Sequence, residues 1–339
     1  MKIYSKKELN EFGQSLTYDD ISLIPTQISR IRSRTEAKIN EEFLGLNLLL
    51  PVLSSPMDTV TGIEMAETLT NLGCLGILNR FDSSLEQILN EKANGNNIKA
   101  VSIALNTPIE TIAKLVERYK ILCIDTANAN NNAVIEKTEQ VKRKFPNIKL
   151  IVGNIAHGAT LKSLEDAGAD AVRVGIGSGS VCTTSIQTGI GIGQVSSLLD
   201  VLFSKEDKKL NIKIIADGGI KSSGDIAKAL ALGADAVMLG RMLSGTRETP
   251  GEVIKYDGQL WKKYRGSASF GVKMRHQFIE GEETMVPYKG AVKDVIDSIS
   301  DGLRSSMSYM NCLCLSDLRK TETFAVLTNS SYLERLPKI

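Results

Sequence analysis

Histidine is almost missing from this chain: His157 and His276 are the only two in 339 residues. A histidine metal centre or a Ser-His-Asp relay is therefore not the expected chemistry, because each needs imidazole at a defined place. An excess of either charge is missing too, with 41 basic against 39 acidic residues and a net charge of +2. No basic field exists to hold a nucleic-acid backbone, so no nucleic-acid partner is expected. No apolar run approaches the roughly 18 residues of a membrane-crossing helix. Residues 1–12 are polar and unlike a secretory leader, so a cytoplasmic protein with no membrane partner is expected. The five cysteines are odd in number, which argues against a closed disulfide framework. Cys312 and Cys314 have no histidine or second cysteine pair nearby to complete a zinc site.

What is present is ordinary in bulk, 42% hydrophobic and 24% charged, and regular in pattern. Short apolar runs at 51–55, 74–78, 98–105, 121–125, 149–154, 170–175, 212–217 and 235–240 alternate with helical patterns such as 109–119, 133–144, 159–166 and 223–232. Their lengths suit strands buried on both faces. Eight strand–helix units predict an α/β fold, a (β/α)8 TIM barrel; a doubly wound sheet is the alternative. Leu164-Glu165-Asp166-Ala167-Gly168-Ala169-Asp170-Ala171-Val172 and Ala229-Leu230-Ala231-Leu232-Gly233-Ala234-Asp235-Ala236-Val237 form a weak internal repeat. In each, a helix ends at glycine and the next strand opens with Asp-Ala-Val. No low-complexity linker divides the chain, so 1–339 reads as one catalytic domain, with roughly 246–339 as an active-site loop and C-terminal extension of loops or helices.

A barrel places its active site at the C-terminal ends of the strands. There the sixth run leads into Gly175-Ile176-Gly177-Ser178-Gly179-Ser180-Val181-Cys182-Thr183-Thr184. Cys182 is a candidate nucleophile, whereas Cys74 and Cys123 sit in apolar runs and read as buried. The seventh and eighth runs end in Asp217-Gly218-Gly219 and Gly240-Arg241. These neighbouring loops suit a phosphate monoester, and Asp217 could accept hydrogen bonds from ribose hydroxyls. Glu282 and Glu283 read as a solvated turn, Arg275-His276 as a surface pair, and Trp261 and Tyr309 as packing residues.

Five segments together resemble the inosine-monophosphate dehydrogenase and GMP reductase superfamily: Leu16-Thr17-Tyr18-Asp19-Asp20-Ile21, Ser54-Ser55-Pro56-Met57-Asp58-Thr59-Val60-Thr61, residues 175–184, Ile215-Ala216-Asp217-Gly218-Gly219-Ile220 and Val286-Pro287-Tyr288-Lys289-Gly290. The resemblance implies a barrel, a nucleoside monophosphate and a nicotinamide cofactor. It implies catalysis by Cys182, Thr184 and Glu280. It places the substrate on Ser55, Met57, Ser180, Asp217, Gly218, Gly219, Gly240, Arg241, Tyr264 and Gly281, and the cofactor on Arg80, Asp125, Thr126, Ala127 and Ser269. It further implies a potassium ion on Gly177, Gly179 and Cys182, and a homotetramer.

Within the family, short bacterial GMP reductase is the better likeness: NADPH, GMP as substrate, IMP and ammonia as products. There is no room for inserted regulatory domains, only residues 270–279 separate Gly266-Ser267-Ala268-Ser269 from Glu280-Gly281, and Asp125-Thr126-Ala127-Asn128 is reductase-like. Asn79-Arg80-Phe81 and Leu318-Arg319-Lys320-Thr321 point the same way, whereas Tyr264-Arg265-Gly266 and Thr249-Pro250-Gly251-Glu252 fit either branch. The alternative is an IMP dehydrogenase without regulatory domains, using NAD. A non-catalytic relative is disfavoured because Cys182, Thr184 and Glu280 are all present, and a flavin barrel enzyme would be coloured. Four positions depart from the family pattern: Ser178 and Gly193 where proline is common, Ser185 where arginine or lysine is common, and Arg241 in place of serine or glycine.

Overall fold

The structure, a computed structural model, describes residues 2–81, 97–266 and 281–335. Eight parallel strands form one sheet: β1 (Val52–Ser54), β2 (Ile77–Leu78), β3 (Ala100–Ile103), β4 (Ile121–Asp125), β5 (Lys149–Ile155), β6 (Ala171–Val174), β7 (Lys213–Asp217) and β8 (Ala236–Leu239). Each predicted apolar run supplies one of them. β8 pairs with β1, and a bridge from Leu53 to Leu75, just ahead of β2, closes the ring. The doubly wound alternative is thereby overturned: an open sheet would leave β1 and β2 as edges with unpaired backbone groups.

Alternation along the strands separates two cores. Leu53, Ile77, Ala100, Ile121, Ile151, Ala171, Ile215 and Ala236 point inward and fill the barrel. Phe43, Leu44 and Leu48 close its bottom from a hairpin of Glu41–Phe43 with Leu46–Leu48. Residues of opposite parity, such as Val101, Leu122, Val152, Val172 and Val237, face the surrounding helices. Those helices are α1 (Ile63–Asn71), α2 (Ile109–Val116), α3 (Asn132–Lys144), α4 (Leu161–Asp166), α6 (Gln194–Asp207) and α7 (Ser223–Leu232), while the short α5 (Thr184–Thr188) buries no residue and lies in the loop after β6. Two differ from expectation. α2 ends at Val116 rather than residue 119, and the 159–166 pattern opens as a 3-10 turn, Gly158–Thr160, before α4.

The extension after β8 is not only loops and helices. Strands β9 (Ile254–Tyr256), β10 (Gln259–Arg265) and β11 (Glu283–Pro287) form an antiparallel sheet, followed by α8 (Val292–Tyr309). Its signal was Asp257-Gly258, which turns the first hairpin with φ of 48° and 75°, values that suit a two-residue type I′ connection. Glu283 is therefore an exposed strand residue rather than part of a turn. Lys262 of β10 is buried, and its ammonium donates to the carbonyls of Thr246, Arg247 and Thr249. Three carbonyl acceptors compensate the buried charge and pin the sheet to the segment that leaves β8. Ile21–Leu23 pairs with Phe324–Val326, joining the two ends of the chain. Among the described residues no helix is long and apolar enough to cross a membrane.

Candidate active site

The inward side of a strand changes character at the last residue. Following the same parity upward from Ile121, Ala171 and Ile215 leads to Asp125, Arg173 and Asp217. A charged layer thus caps the apolar one. Arg173 Nη1 donates to Asp125 Oδ1 at 2.7 Å, and its Nε and Nη2 donate to Asp217 Oδ2 at 3.0 and 2.9 Å. Asn154 Nδ2 donates to the same Asp217 oxygen at 2.9 Å, and Arg80 Nε donates to Asp125 Oδ2 at 3.1 Å. Burial alone would weaken the hold of Arg173 on its proton. The carboxylates of Asp217 and Asp125 outweigh that and raise its pKa well above the ordinary value. Room for this guanidinium stem comes from the facing residue of β5. A methyl at Gly153 would lie 2.5 Å from Arg173 Cβ, so only glycine fits there.

Above this layer opens a cavity of about 390 Å³. Most of the predicted residues line it: Ser55 and Met57 after β1, Arg80 after β2, Asp125, Thr126 and Ala127 after β4, Gly177, Gly179, Ser180, Cys182 and Thr184 after β6, Asp217, Gly218 and Gly219 after β7, Gly240 and Arg241 after β8, and Tyr264. Cys182 Sγ donates to Thr184 Oγ1 at 3.2 Å. Gly281 lies opposite Cys182 in an antiparallel bridge, and Gly266 N donates to Glu282 O at 3.0 Å. The chain between 266 and 281 therefore leaves and returns beside the thiol. Glu280, Ser269 and Arg275-His276 lie outside the described residues.

Several contacts shape the cavity walls. A methyl added at Gly240 would stand 3.1 Å from Tyr264 Oη and 3.4 Å from both Met57 Sδ and Ser55 Oγ. These four residues therefore converge on one spot. Ser180 Oγ and Tyr264 Oη share a hydrogen bond of 3.2 Å. Burial raises the Tyr264 pKa despite that bond and the nearby Arg241 charge, so the phenol stays protonated and able to donate. The Gly219 amide donates to Ser178 O at 3.0 Å. This N–H ties the loops after β6 and β7 together, so Gly219 contributes shape rather than that donor.

The sequence reading passed over three residues here: Arg173, Asn154 and Gln194. An arginine within Ala171-Val172-Arg173-Val174 was the available signal, because a cation inside an apolar strand must find a carboxylate. Gln194, 1% exposed, accepts from Ser178 Oγ at 2.9 Å and donates to Val174 O at 2.6 Å. It braces the glycine loop at the position where Ser178 departs from the family pattern. The second departure is similar: Gly193 N donates to Ser15 Oγ at 2.6 Å, a bond that a proline nitrogen could not make. Of the other cysteines, burial pushes Cys74 up to about 12 and Cys123 up to about 11, leaving both inert.

The family described as IMP dehydrogenase / GMP reductase domain matches residues 15–338. The chain belongs to this family. Its relatives carry both names. It is 34% identical to the inosine-5'-monophosphate dehydrogenase of Borreliella burgdorferi over 96% of each chain. To the GMP reductase of Lactococcus lactis subsp. cremoris it is 33% identical over 95% of this chain and 98% of that one. To the inosine-5'-monophosphate dehydrogenase of Aquifex aeolicus it is 41% identical over 69% of this chain and 51% of that one. The Borreliella alignment runs over 393 positions, more than this chain's 339 residues, whereas the Lactococcus alignment runs over 327, so in length the chain is nearer to the latter. The family assigns an oxidoreductase of purine nucleotides that uses a nicotinamide cofactor.

Proposed function

We propose that the protein is a GMP reductase. The reaction is GMP + NADPH + 2 H⁺ → IMP + NH₄⁺ + NADP⁺. The observation that carries this reading is the anchoring of residues 266 and 281 beside Cys182. The short connection between them leaves little chain for a flap that would activate water, which oxidation of IMP requires. The Cys182 thiolate forms a bond to purine C2, and the amino group leaves as ammonia after taking a proton. Thr184, already in contact with the thiol, and Glu280 would deliver that proton, because an amide-like nitrogen anion is a poor leaving group. The donors and acceptors of Arg80, Asp125, Thr126 and Ala127 fit a carboxamide and ribose hydroxyls. Bound there, NADPH supplies the hydride that reduces C2. Breakage of the C2–S bond then frees IMP and restores the thiolate. Asp217 would hold the ribose. Arg241, with Ser180, Tyr264 and the glycines after β7 and β8, would hold the phosphate. Gly281 would close over the base.

The same reading includes a potassium ion on the carbonyls of Gly177, Gly179 and Cys182. The Gly179 carbonyl already accepts from the Cys182 amide at 3.0 Å and retains a second lone pair for a cation. It also includes a cytoplasmic homotetramer of one-domain chains. The apolar surface of Ile254, Tyr256, Leu260 and Met285 on the antiparallel sheet supports assembly, and sedimentation velocity tests it. The dehydrogenase reading stays second, favoured by the Borreliella match. The deciding assay follows nicotinamide absorbance and ammonia. NADPH oxidation with GMP, lost in Cys182→Ala, is the expected result. Reduction of NAD with IMP, and no reaction with GMP, would assign the dehydrogenase instead.

A further inference from the structure

We infer that the phosphate end of the cavity continues into a second anion subsite, so that the protein binds a purine nucleoside 5′-diphosphate at least as tightly as the monophosphate. This rests on the nucleotide reading above and deepens it. Beyond Arg241 lies a second cavity, of about 670 Å³. It shares Ile220, Lys221 and Arg241 with the first, so the two spaces meet at the corner between the loops after β7 and β8. Lys289, Ser222 and Ser223 also line it, although the Ser222 hydroxyl already caps α7 through Asp225.

The charge at this corner is not balanced among the described residues. Among the described residues, neither the Arg241 guanidinium nor the Lys289 ammonium pairs with a carboxylate. Lys289 Nζ donates only to main-chain oxygens, Arg241 O at 2.9 Å and Met242 O at 3.2 Å. Lys221 is held by Asp19 at 2.5 Å, and Asp294 brings one carboxylate to the wall. Two cations that line one cavity without a counter-ion among the described residues repel each other, and a bound anion removes that repulsion. Burial and then the Arg241 charge lower the pKa of Lys289, consistent with such crowding. A monoester on the glycine loops would reach Arg241. A second phosphate linked to it would extend past Arg241 toward Lys289 and the serines, where its added charge meets the second cation.

The test is calorimetric titration of GMP and of GDP into the whole protein, at fixed ionic strength, for the natural chain, Lys289→Gln and Lys289→Arg. GDP is expected to match or exceed GMP in affinity for the natural chain. Lys289→Gln should weaken GDP about tenfold and GMP less than about threefold, the scale of one charge-assisted contact. Lys289→Arg, which keeps the charge, should preserve the preference. GDP binding about tenfold weaker than GMP in the natural chain would overturn the inference. So would equal losses of both ligands in Lys289→Gln, which would mean that the lysine only braces the loop through the Arg241 and Met242 carbonyls. The reductase reading fails separately: intact GDP preference without NADPH oxidation by GMP overturns the activity and leaves the subsite standing. Normal turnover with a diphosphate penalty does the reverse.

Discussion

On one side of the barrel mouth, Arg80 and Arg173 meet Asp125 and Asp217, and each cation has its carboxylate. On the other side, Arg241 faces open cavity and Lys289 rests on main-chain carbonyls. The first arrangement is complete without a ligand. Its buried charges are matched by geometry, so it holds the ends of β4, β6 and β7 in place before anything binds. In the second, among the described residues, no carboxylate meets either cation. The difference separates charges already matched within the fold, which still line the cavity, from cations with no carboxylate partner among the described residues.

Four changes would break or sharpen this contrast. The largest effect on activity is expected from Cys182→Ala, which lies between the two halves and belongs to neither network. Turnover should fall to background while the melting temperature stays the same; retained turnover in stopped assays for ammonia would remove Cys182 from the chemistry. The largest effect on stability is expected from Arg173→Met. It leaves the buried Asp217 without a cation and Asp125 with Arg80 alone, and breaking such a pair costs about 3–5 kcal/mol. Denaturant unfolding measures this, and a loss below about 1 kcal/mol would mean that water replaces the guanidinium. Arg241→Ser should act the other way: KM for the nucleotide rises about tenfold, the scale of one charged hydrogen bond, with stability unchanged or slightly improved. A large loss of stability in that variant would show that Arg241 is structural after all.

The smallest effect concerns pH and lies at the opposite end of the barrel. Asp170 is partly buried, which would raise its pKa. Hydrogen bonds from Lys142, the Leu150 amide and Lys149 outweigh that and lower it. A carboxyl with a lowered folded pKa contributes stability above its unfolded value, and that contribution is lost as pH falls through the folded value. Acid unfolding of the natural chain should therefore steepen below about pH 4, and Asp170→Asn should flatten that limb while lowering stability at neutral pH. An unchanged acid limb in the variant would place the titration elsewhere.

Much of the site was legible because barrel geometry concentrates function at strand ends. Once the eight runs were in order, Cys182, Asp217, Arg241 and Asp125 had to gather at one mouth. Glu280 and Ser269 fall outside the described residues, so their part rests on the resemblance. Arg173 escaped because its value depends on partners 48 and 44 residues away. Within its own run it looks like an interruption of an apolar strand. The antiparallel sheet escaped for a simpler reason: the Asp257-Gly258 turn signal stood between two short, half-polar strands with weak alternation.

By itself, the sequence determined the eight-fold alternation of strand and helix, the parity that sends apolar side chains into the barrel, and the glycines that let the loops come close. These are local consequences of propensity and period. Tertiary structure alone decided which charges would be matched. A carboxylate on β4 and another on β7 meet one arginine on β6 only after the sheet has closed and Gly153 has made room. Electrostatic pairing depends on separation in space and on exclusion of water, and neither is encoded at any single position.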